Sequence, residues 1–238
     1  MTKKSVSQQL HSDLEAIISS TDPGDRLLTE PDLAKQLGVS RATLREAMRT
    51  FEIQGMIRRK QGSGTYVTHP THVIESGLEV LESIETMAER IGLEVALGSW
   101  NVEKRTASEE ERESLDLNPG EEILDVSRVI LAEGRPVAYL IDILLPDIFS
   151  TEDFNTDFSG SVLDMLIERG SPKLVVARTE INAVTATSKV ARALGIQRGV
   201  GLLCFCADLF DSDGKVVDHE FSYFLPGYFN FHVVRRVM

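Results

Sequence analysis

A short stretch of this chain concentrates side chains suited to grip a phosphodiester backbone and read base edges. Arg41 and Arg45 stand four apart, so on a helix they share one face. Two guanidinium forks so placed suit bidentate contact with guanine in a major groove. Thr43 is short enough to touch a base edge or a phosphate, and Arg49 extends the basic face by another turn. Ser40 stands where a helix begins, and the free N–H groups of such an end hold phosphate oxygens. Further on, Gln61-Gly62-Ser63-Gly64 places two glycines where a loop tip could approach a sugar-phosphate backbone closely.

A second set has a different chemistry. Arg128 lies in an otherwise apolar run and needs an anionic partner there. Ser161 opens a helix, whose hydroxyl and free N–H groups form an anion site. Arg178 is a second candidate cation, and Glu220 and Tyr139 offer hydrogen bonds to hydroxyls. Together they suggest a pocket for a small, anionic molecule. The alternative is a purely structural Arg128, paired with Glu180 or Glu220 across a sheet.

The elements that must carry the first set are legible from periodicity. Val6, Leu10, Leu14, Ile17 and Ile18 give one helix a buried face. Asp22-Pro23-Gly24-Asp25 is a turn. Thr29 caps a second helix with Pro31 in its first turn and Gly38 at its end. Ser40 caps a third, with Leu44, Ala47, Met48 and Phe51 inward. Met56–Lys60 and Thr65–Thr68 then read as two strands around the glycine loop, making three helices and a wing. His69 to Gly77 reads as a linker, so the expected division is residues 1–68, a linker at 69–77, and a body at 78–238.

The body alternates in an α+β pattern. A helix is expected through Leu81, Ile84, Met87 and Ile91, with others at Ser108–Leu115, Ser161–Arg169 and Ser188–Leu194. Strands are expected at Glu94–Lys104, Glu122–Ala132, Val137–Leu145, Lys173–Val184, Val200–Phe210, Val216–Leu225 and Phe229–Val237. Glu133-Gly134-Arg135 and Asp211-Ser212-Asp213-Gly214 read as hairpin turns.

The formal net charge of −12 argues against a nucleic-acid binder until its distribution is considered. Residues 1–70 carry 10 Lys and Arg against 8 Asp and Glu, while the remainder carries 15 against 29. Counterion release depends on charge at the contact surface, so a basic head on an acidic body remains compatible with DNA. A hydrophobic fraction of 42% allows a packed core, and no stretch reaches the length of a membrane span. The polar N-terminus lacks a secretory pattern, and Cys204 and Cys206, two apart, make a poor disulfide, so the cytoplasm is the expected compartment. The five histidines are scattered without ligand spacing, and no metal or cofactor is expected.

The head closely resembles the GntR family of transcription regulators. The resemblance rests on Pro23-Gly24-Asp25-Arg26-Leu27, Glu30, Leu33-Ala34, Val39-Ser40-Arg41, Thr43, Leu44-Arg45-Glu46-Ala47, Gly55 and Gly62-Ser63-Gly64-Thr65-Tyr66-Val67. It implies DNA contacts from Ser40, Arg41, Thr43, Arg45 and the Gly62 region of a winged helix-turn-helix. The chain departs from the family at Leu28-Thr29-Glu30-Pro31, where Pro-Ser-Glu-Arg is usual and the arginine commonly contacts DNA.

The body resembles the effector domain of the HutC subfamily, called UTRA, with a chorismate-lyase-like antiparallel sheet. The marks are Leu117-Asn118-Pro119-Gly120-Glu121, Val126-Ser127-Arg128, Gly134-Arg135-Pro136, Leu145-Pro146, Ser161-Val162-Leu163, Glu180-Ile181, Ala193-Leu194-Gly195-Ile196 and Asp213-Gly214-Lys215 with Tyr223. Such domains bind a small metabolite and dimerise, and in them positions matching Arg128 and Ser161 help hold an acidic ligand group. The resulting expectation is a ligand-responsive, homodimeric repressor of a double-stranded operator. Its rivals are an enzyme on a lyase-like fold and a regulator whose body only dimerises. The strands Val200–Phe210 and Val216–Leu225 are apolar enough for one to pair or pack across a two-fold axis.

Overall fold

The structure is a computed structural model that describes residues 6–22, 24–53, 56–60, 62–68, 74–155 and 158–233. It divides into two compact units, Met1–Val73 and Ile74–Met238.

In the first unit, α1 (Val6–Ser19), α2 (Glu30–Gln36) and α3 (Arg41–Ile53) precede the hairpin of β1 (Ile57–Lys60) and β2 (Gly64–Val67). Leu10, Leu14 and Ile18 of α1 meet Leu33 and Ala34 of α2, Leu44, Met48 and Phe51 of α3, and Ile57 and Val67 of the hairpin in one core. The helix starts follow the expected chemistry. Thr29 accepts from the Asp32 amide at 3.5 Å, and Ser40 Oγ accepts from the Thr43 amide at 3.1 Å. Gly38 takes a φ of +65° between α2 and α3, the backbone a tight helix-to-helix turn requires. Residues before α2 brace the hairpin: the Leu27 amide donates to the Thr65 carbonyl and the Gly24 amide to the Val67 carbonyl, each at 2.8 Å.

The second unit is built on a six-stranded antiparallel sheet. Its strands are β4 (Val95–Thr106), β5 (Glu122–Ala132), β6 (Arg135–Leu144), β7 (Leu174–Thr185), β8 (Gly201–Asp211) and β9 (Val216–Phe224), in the spatial order β4-β5-β6-β9-β8-β7. Both expected hairpin turns are present, joining β5 to β6 and β8 to β9. Helix α5 (Glu109–Leu115) contacts β9 and α7 (Ser188–Leu194) contacts β6. Helix α6 (Val162–Arg169) packs through Val162, Leu163 and Leu166 against Leu124, Val126, Leu144 and Leu209 of the sheet.

Some sequence expectations need correction or closer bounds. Ile74–Gly77, read as the end of a linker, is a strand, β3, paired in parallel with β10 (Phe229–His232). Ile74 is fully buried there, and its partner comes from the opposite end of the chain, which local patterning cannot reveal. Of the two ways in which β8 or β9 was expected to meet a second copy, pairing or packing, edge pairing is closed to them because both are interior; β4 and β7, each 12 residues long, form the edges. The last expected strand ends at His232 among the described residues, and the remainder of Phe229–Val237 beyond Val233 lies outside them. The helix expected through Leu81, Ile84, Met87 and Ile91 is α4, which is shorter, Ile84–Arg90, and is capped by Ser83.

Candidate functional site

Two sites emerge, one in each unit. In the first unit, Arg41, Thr43, Arg45 and Arg49 are all exposed on α3, opposite the buried Leu44, Met48 and Phe51. This follows from helical periodicity, since a core stripe at Leu44, Met48 and Phe51 leaves those four outside. Arg45 is held in place: its Nε donates to Glu30 Oε2 at 2.6 Å, across the helix-turn-helix. Arg59 Nη2 donates to the Arg45 carbonyl at 3.3 Å and so ties β1 to the same helix. A groove between helix and wing is lined by Arg26, Glu30, Arg45, Arg59, Lys60 and Gly64.

Arg26, Arg59 and Lys60 were not singled out as site residues in the sequence. Their cue was the wing pairing, since Arg26 bridges to Tyr66 and Lys60 lies over the Tyr66 ring at 5.0 Å from its centroid. Gly62 takes a φ of +74° with open space around its Cβ position, which leaves the wing tip free to approach a backbone closely. Gly64, at φ +127°, has the Arg26 guanidinium where a Cβ would stand. Gln61 lies outside the described residues.

In the second unit, a cavity of about 540 Å³ opens on one face of the sheet. Its floor carries Arg128, Leu140, Glu220 and Ser222; α4 supplies Glu85 and Met87, and Ser161 and Leu163 come from the start of α6. Cross-strand register sets the floor. Arg128 stands opposite Leu140, and Asp142 stands opposite Glu220, so Arg128, Asp142 and Glu220 share one face. Ala177, Thr179 and Ile181 of β7 line the rim, with Phe205, Phe224 and Phe231 as an aromatic wall. The three rings touch one another, with centroids 4.6 to 5.1 Å apart.

Of the five residues expected to bind an effector, Arg128, Ser161 and Glu220 come together at this cavity. Arg178 and Tyr139 do not. Arg178 alternates with the rim residues, so its side chain leaves by the other face of β7, where it pairs with Glu180 at 2.7 Å. Tyr139 is buried on the opposite face of β6 and stacks on Tyr223 at 6.4 Å.

The electrostatics differ from expectation too. Arg128 is 5% exposed and is paired with Asp142, not with Glu180 or Glu220. The guanidinium is therefore already neutralised. Asp218 is fully buried beside Asp142 and Glu220, and among the described residues these three carboxylates have oxygens within 4.8 Å of one another, a spacing that a metal ion could bridge. Burial, with Asp142 nearby, pushes the Glu220 carboxyl up to about 7, and burial raises Asp218 well above the usual range. Glu85 is raised by burial as well, partly opposed by Arg128. Ser161 Oγ accepts from the Asp164 amide at 3.0 Å, so it caps its own helix. Asp142, Asp218 and Glu85 escaped the sequence reading as site residues because their significance lies in register and in a helix laid over the sheet.

The comparisons with known proteins follow the same division. The model of the UTRA domain matches residues 92–230, and that of the bacterial regulatory proteins of the gntR family matches residues 2–67. The chain therefore belongs to the GntR-family transcription regulators that carry a UTRA domain. The HTH-type transcriptional repressor NagR of Bacillus subtilis is 26% identical over 216 residues, covering 90% of this chain and 88% of that protein. The HTH-type transcriptional regulator Rv0792c of Mycobacterium tuberculosis is 28% identical over 238 residues, 95% of this chain and 84% of that protein. The crystal structure of PhnF from Mycobacterium smegmatis has the same fold, with a TM-score of 0.64 at 22% identity over 96% of this chain and 100% of that one. The protein is a ligand-responsive, DNA-binding transcription regulator, as its head and body imply.

Proposed function

We propose that this regulator is a repressor that grips a palindromic operator through α3 and the wing of two copies, and that a small metabolite in the sheet cavity changes its hold on DNA. Ser40, Arg41, Thr43, Arg45 and Arg49 face the DNA, with Gln61, Gly62 and Gly64 at the wing. Arg128, Ser161 and Glu220 face the effector. The NagR relative is a repressor by name, which supports the sign of action.

The observation that carries this reading is the cavity wall. Gly77 to Glu85, which lines it, follows directly in sequence on the segment that joins the two units. An occupant that prefers one arrangement of this wall biases the chain leading to the head, whereas an occupant indifferent to it shifts nothing. A cavity of this size falls within the roughly 300–1,000 Å³ typical of small-molecule sites, and it argues for binding over a body that only dimerises. No acid–base or nucleophile pair in a shared motif supports an enzyme on this fold.

A homodimer follows from the DNA argument, because one winged head covers only a half-site. Two 12-residue edge strands give the body surfaces on which a second copy could pair. An intracellular location, in the cytoplasm, follows from a role on DNA; among the described residues no helix is long and apolar enough to cross a membrane.

Selection of bound duplexes from a randomised library tests the reading. An enriched inverted repeat, released or tightened by a metabolite that also raises the thermal midpoint of the protein, is the expected result. Enrichment of single, unpaired half-sites would remove the dimer, and no enrichment would remove the DNA-binding reading.

A further inference from the structure

The cavity and its floor hold more carboxyl groups than cations. On its floor and beneath it stand Asp142 and Asp218, with Glu220 between floor and solvent and Glu85 facing them from α4. Arg128 is the one cation lining it among the described residues, and its Nη1 is taken by Asp142. The helix end that would have drawn an anion is also occupied. Ser161 caps its own helix, Asp164 lies in the first turn of α6, and Glu85 Oε1 stands 3.1 Å from where a Cβ on Gly160 would be.

Two buried groups are poorly satisfied. Asp218, at 0% exposure, has only the neighbouring Asp142 carboxyl with which to share a proton, and Arg128 Nε donates no hydrogen bond. Buried polar atoms in this state are uncommon and call for a partner. A positive group near Glu220 and Glu85 would hold both carboxyls in their ionised form, and a neutral oxygen near Arg128 answers the idle N–H. The mutually packed rings of Phe205, Phe224 and Phe231 supply an apolar wall that also favours a cation.

From this geometry we infer that the effector is an organic cation, an ammonium or amidinium compound that also carries a hydroxyl or carbonyl oxygen, seated between Glu220, Glu85 and the phenylalanine wall. This rests on the cavity being the effector site, and it replaces the anionic ligand expected from Arg128 and Ser161. An organic cation fits better than a bare metal ion. A metal bridging the three carboxylates would sit beside the Arg128 guanidinium and leave most of the cavity unfilled.

Binding of a cation favours the ionised form of Glu220, whose carboxyl sits near neutrality in the ligand-free protein. The groups facing it are Arg128, Asp142, Asp218 and Ser222 on the sheet and Glu85 on α4; Arg128 and the Ser222 hydroxyl oppose the rise, Arg128 the more strongly. Occupation by a cation should therefore release protons at pH 7, and occupation by an anion should take them up.

The experiment uses the full chain and a matched pair of probes at tens of millimolar. Phenylalaninol carries an ammonium, a hydroxyl and a phenyl ring; 3-phenyllactate has the same skeleton with a carboxylate. Inorganic phosphate and calcium chloride are the other arms. Thermal midpoints and calorimetry in buffers of different ionisation heat are read. Phenylalaninol should raise the midpoint and release protons, and Glu220→Gln and Glu85→Gln should each weaken it roughly tenfold or more, with the fluorescence of Trp100 on β4 in the absence of probe reporting that the sheet unit of each variant folds. A rise with 3-phenyllactate or phosphate alone, lost in Glu220→Gln or Arg128→Lys, would keep the effector cavity and overturn the cation. A rise with calcium alone would overturn it in favour of a metal site. No rise with any probe would count against both the cation and the cavity as the effector site.

Discussion

Arg128 on β5 and Asp142 on β6 form a buried ion pair two residues out of direct register, because Arg128 stands opposite Leu140 and Asp142 opposite Val126. Side chains at i and j+2 on neighbouring antiparallel strands share a face and remain within reach of a long arginine. The pair compensates one charge of each sign and leaves Asp218 and Glu220 beside it with no second cation among the described residues that line the cavity.

Removing one partner of that pair should be costly. Arg128→Met leaves Asp142 buried beside two further carboxylates, a change worth about 3–5 kcal/mol of stability for a broken buried pair. Neutralising both, in Arg128→Met with Asp142→Leu, should recover most of that loss. The single tryptophan, Trp100, lies on β4, so its fluorescence reports unfolding of the sheet unit alone. If Arg128→Met unfolds at the same denaturant concentration as the parent, the ion pair carries no structural weight.

The raised carboxyl of Glu220 makes a signed prediction about pH. Its ordinary value is 4.5 and the folded value is about 7, so between these the folded state holds a proton that the unfolded chain has released. The stabilisation is complete below about 4.5 and is lost as pH rises through 7. With allowance for partial exposure to the cavity, the change is about 1–3 kcal/mol. Glu220→Gln should therefore unfold at nearly the parent's midpoint at pH 5 and clearly above it at pH 8, followed by Trp100 fluorescence. An equal gap at both pH values would show that Glu220 titrates normally.

The legibility of this protein in its sequence follows the range of the interactions. Ser40, Gly38, Gly134 and Gly214 act within a few residues of themselves, and the helices and hairpins they delimit lie where the patterning puts them. Arg128 stood out as a cation among apolar residues, but its partner did not. A bulge between Ile130 and Leu131 shifts the register of the hairpin, so counting back from the Glu133-Gly134 turn does not identify Asp142. Arg178 failed for a related reason: charge was legible, but which face of β7 it occupied depended on register after the irregularity at Leu174–Val176. β3 was invisible because Ile74 is buried by pairing with Phe229 rather than by its neighbours.

The wing gives a third prediction. Gly64→Ala places a Cβ against the Arg26 guanidinium at a φ of +127°, where an alanine is strained by about 1–3 kcal/mol. Gly62→Ala meets open space at φ +74° and should disturb the hairpin less. The expected order of operator affinity is parent, Gly62→Ala, then Gly64→Ala, with helix content unchanged by circular dichroism. Adding Arg26→Ala to Gly64→Ala relieves the clash but not the backbone strain, so it should restore affinity only in part. Full restoration would assign the whole effect to the clash, and Gly64→Ala binding as well as the parent would remove the strain argument.

The last prediction concerns the hold of Glu30 on Arg45. A guanidinium fixed by a carboxylate at 2.6 Å on a half-exposed side chain presents its remaining N–H groups in one direction. Such preorganisation favours a specific base contact, because less side-chain freedom is lost on binding. Arg45→Ala should cost about 1–3 kcal/mol per half-site, and Arg45→Lys should lose most of the same energy, because a lysine cannot make the bidentate contact. Glu30→Gln acts differently. It removes a negative charge beside the phosphates, so binding to random DNA should strengthen, while the freed arginine should bind the selected operator less well. Competition of operator against random duplex at fixed salt measures this as a fall in the specificity ratio. If the ratio in Glu30→Gln equals that of the parent, Arg45 is oriented by the DNA itself, and the short contact with Glu30 serves only to join α2 to α3.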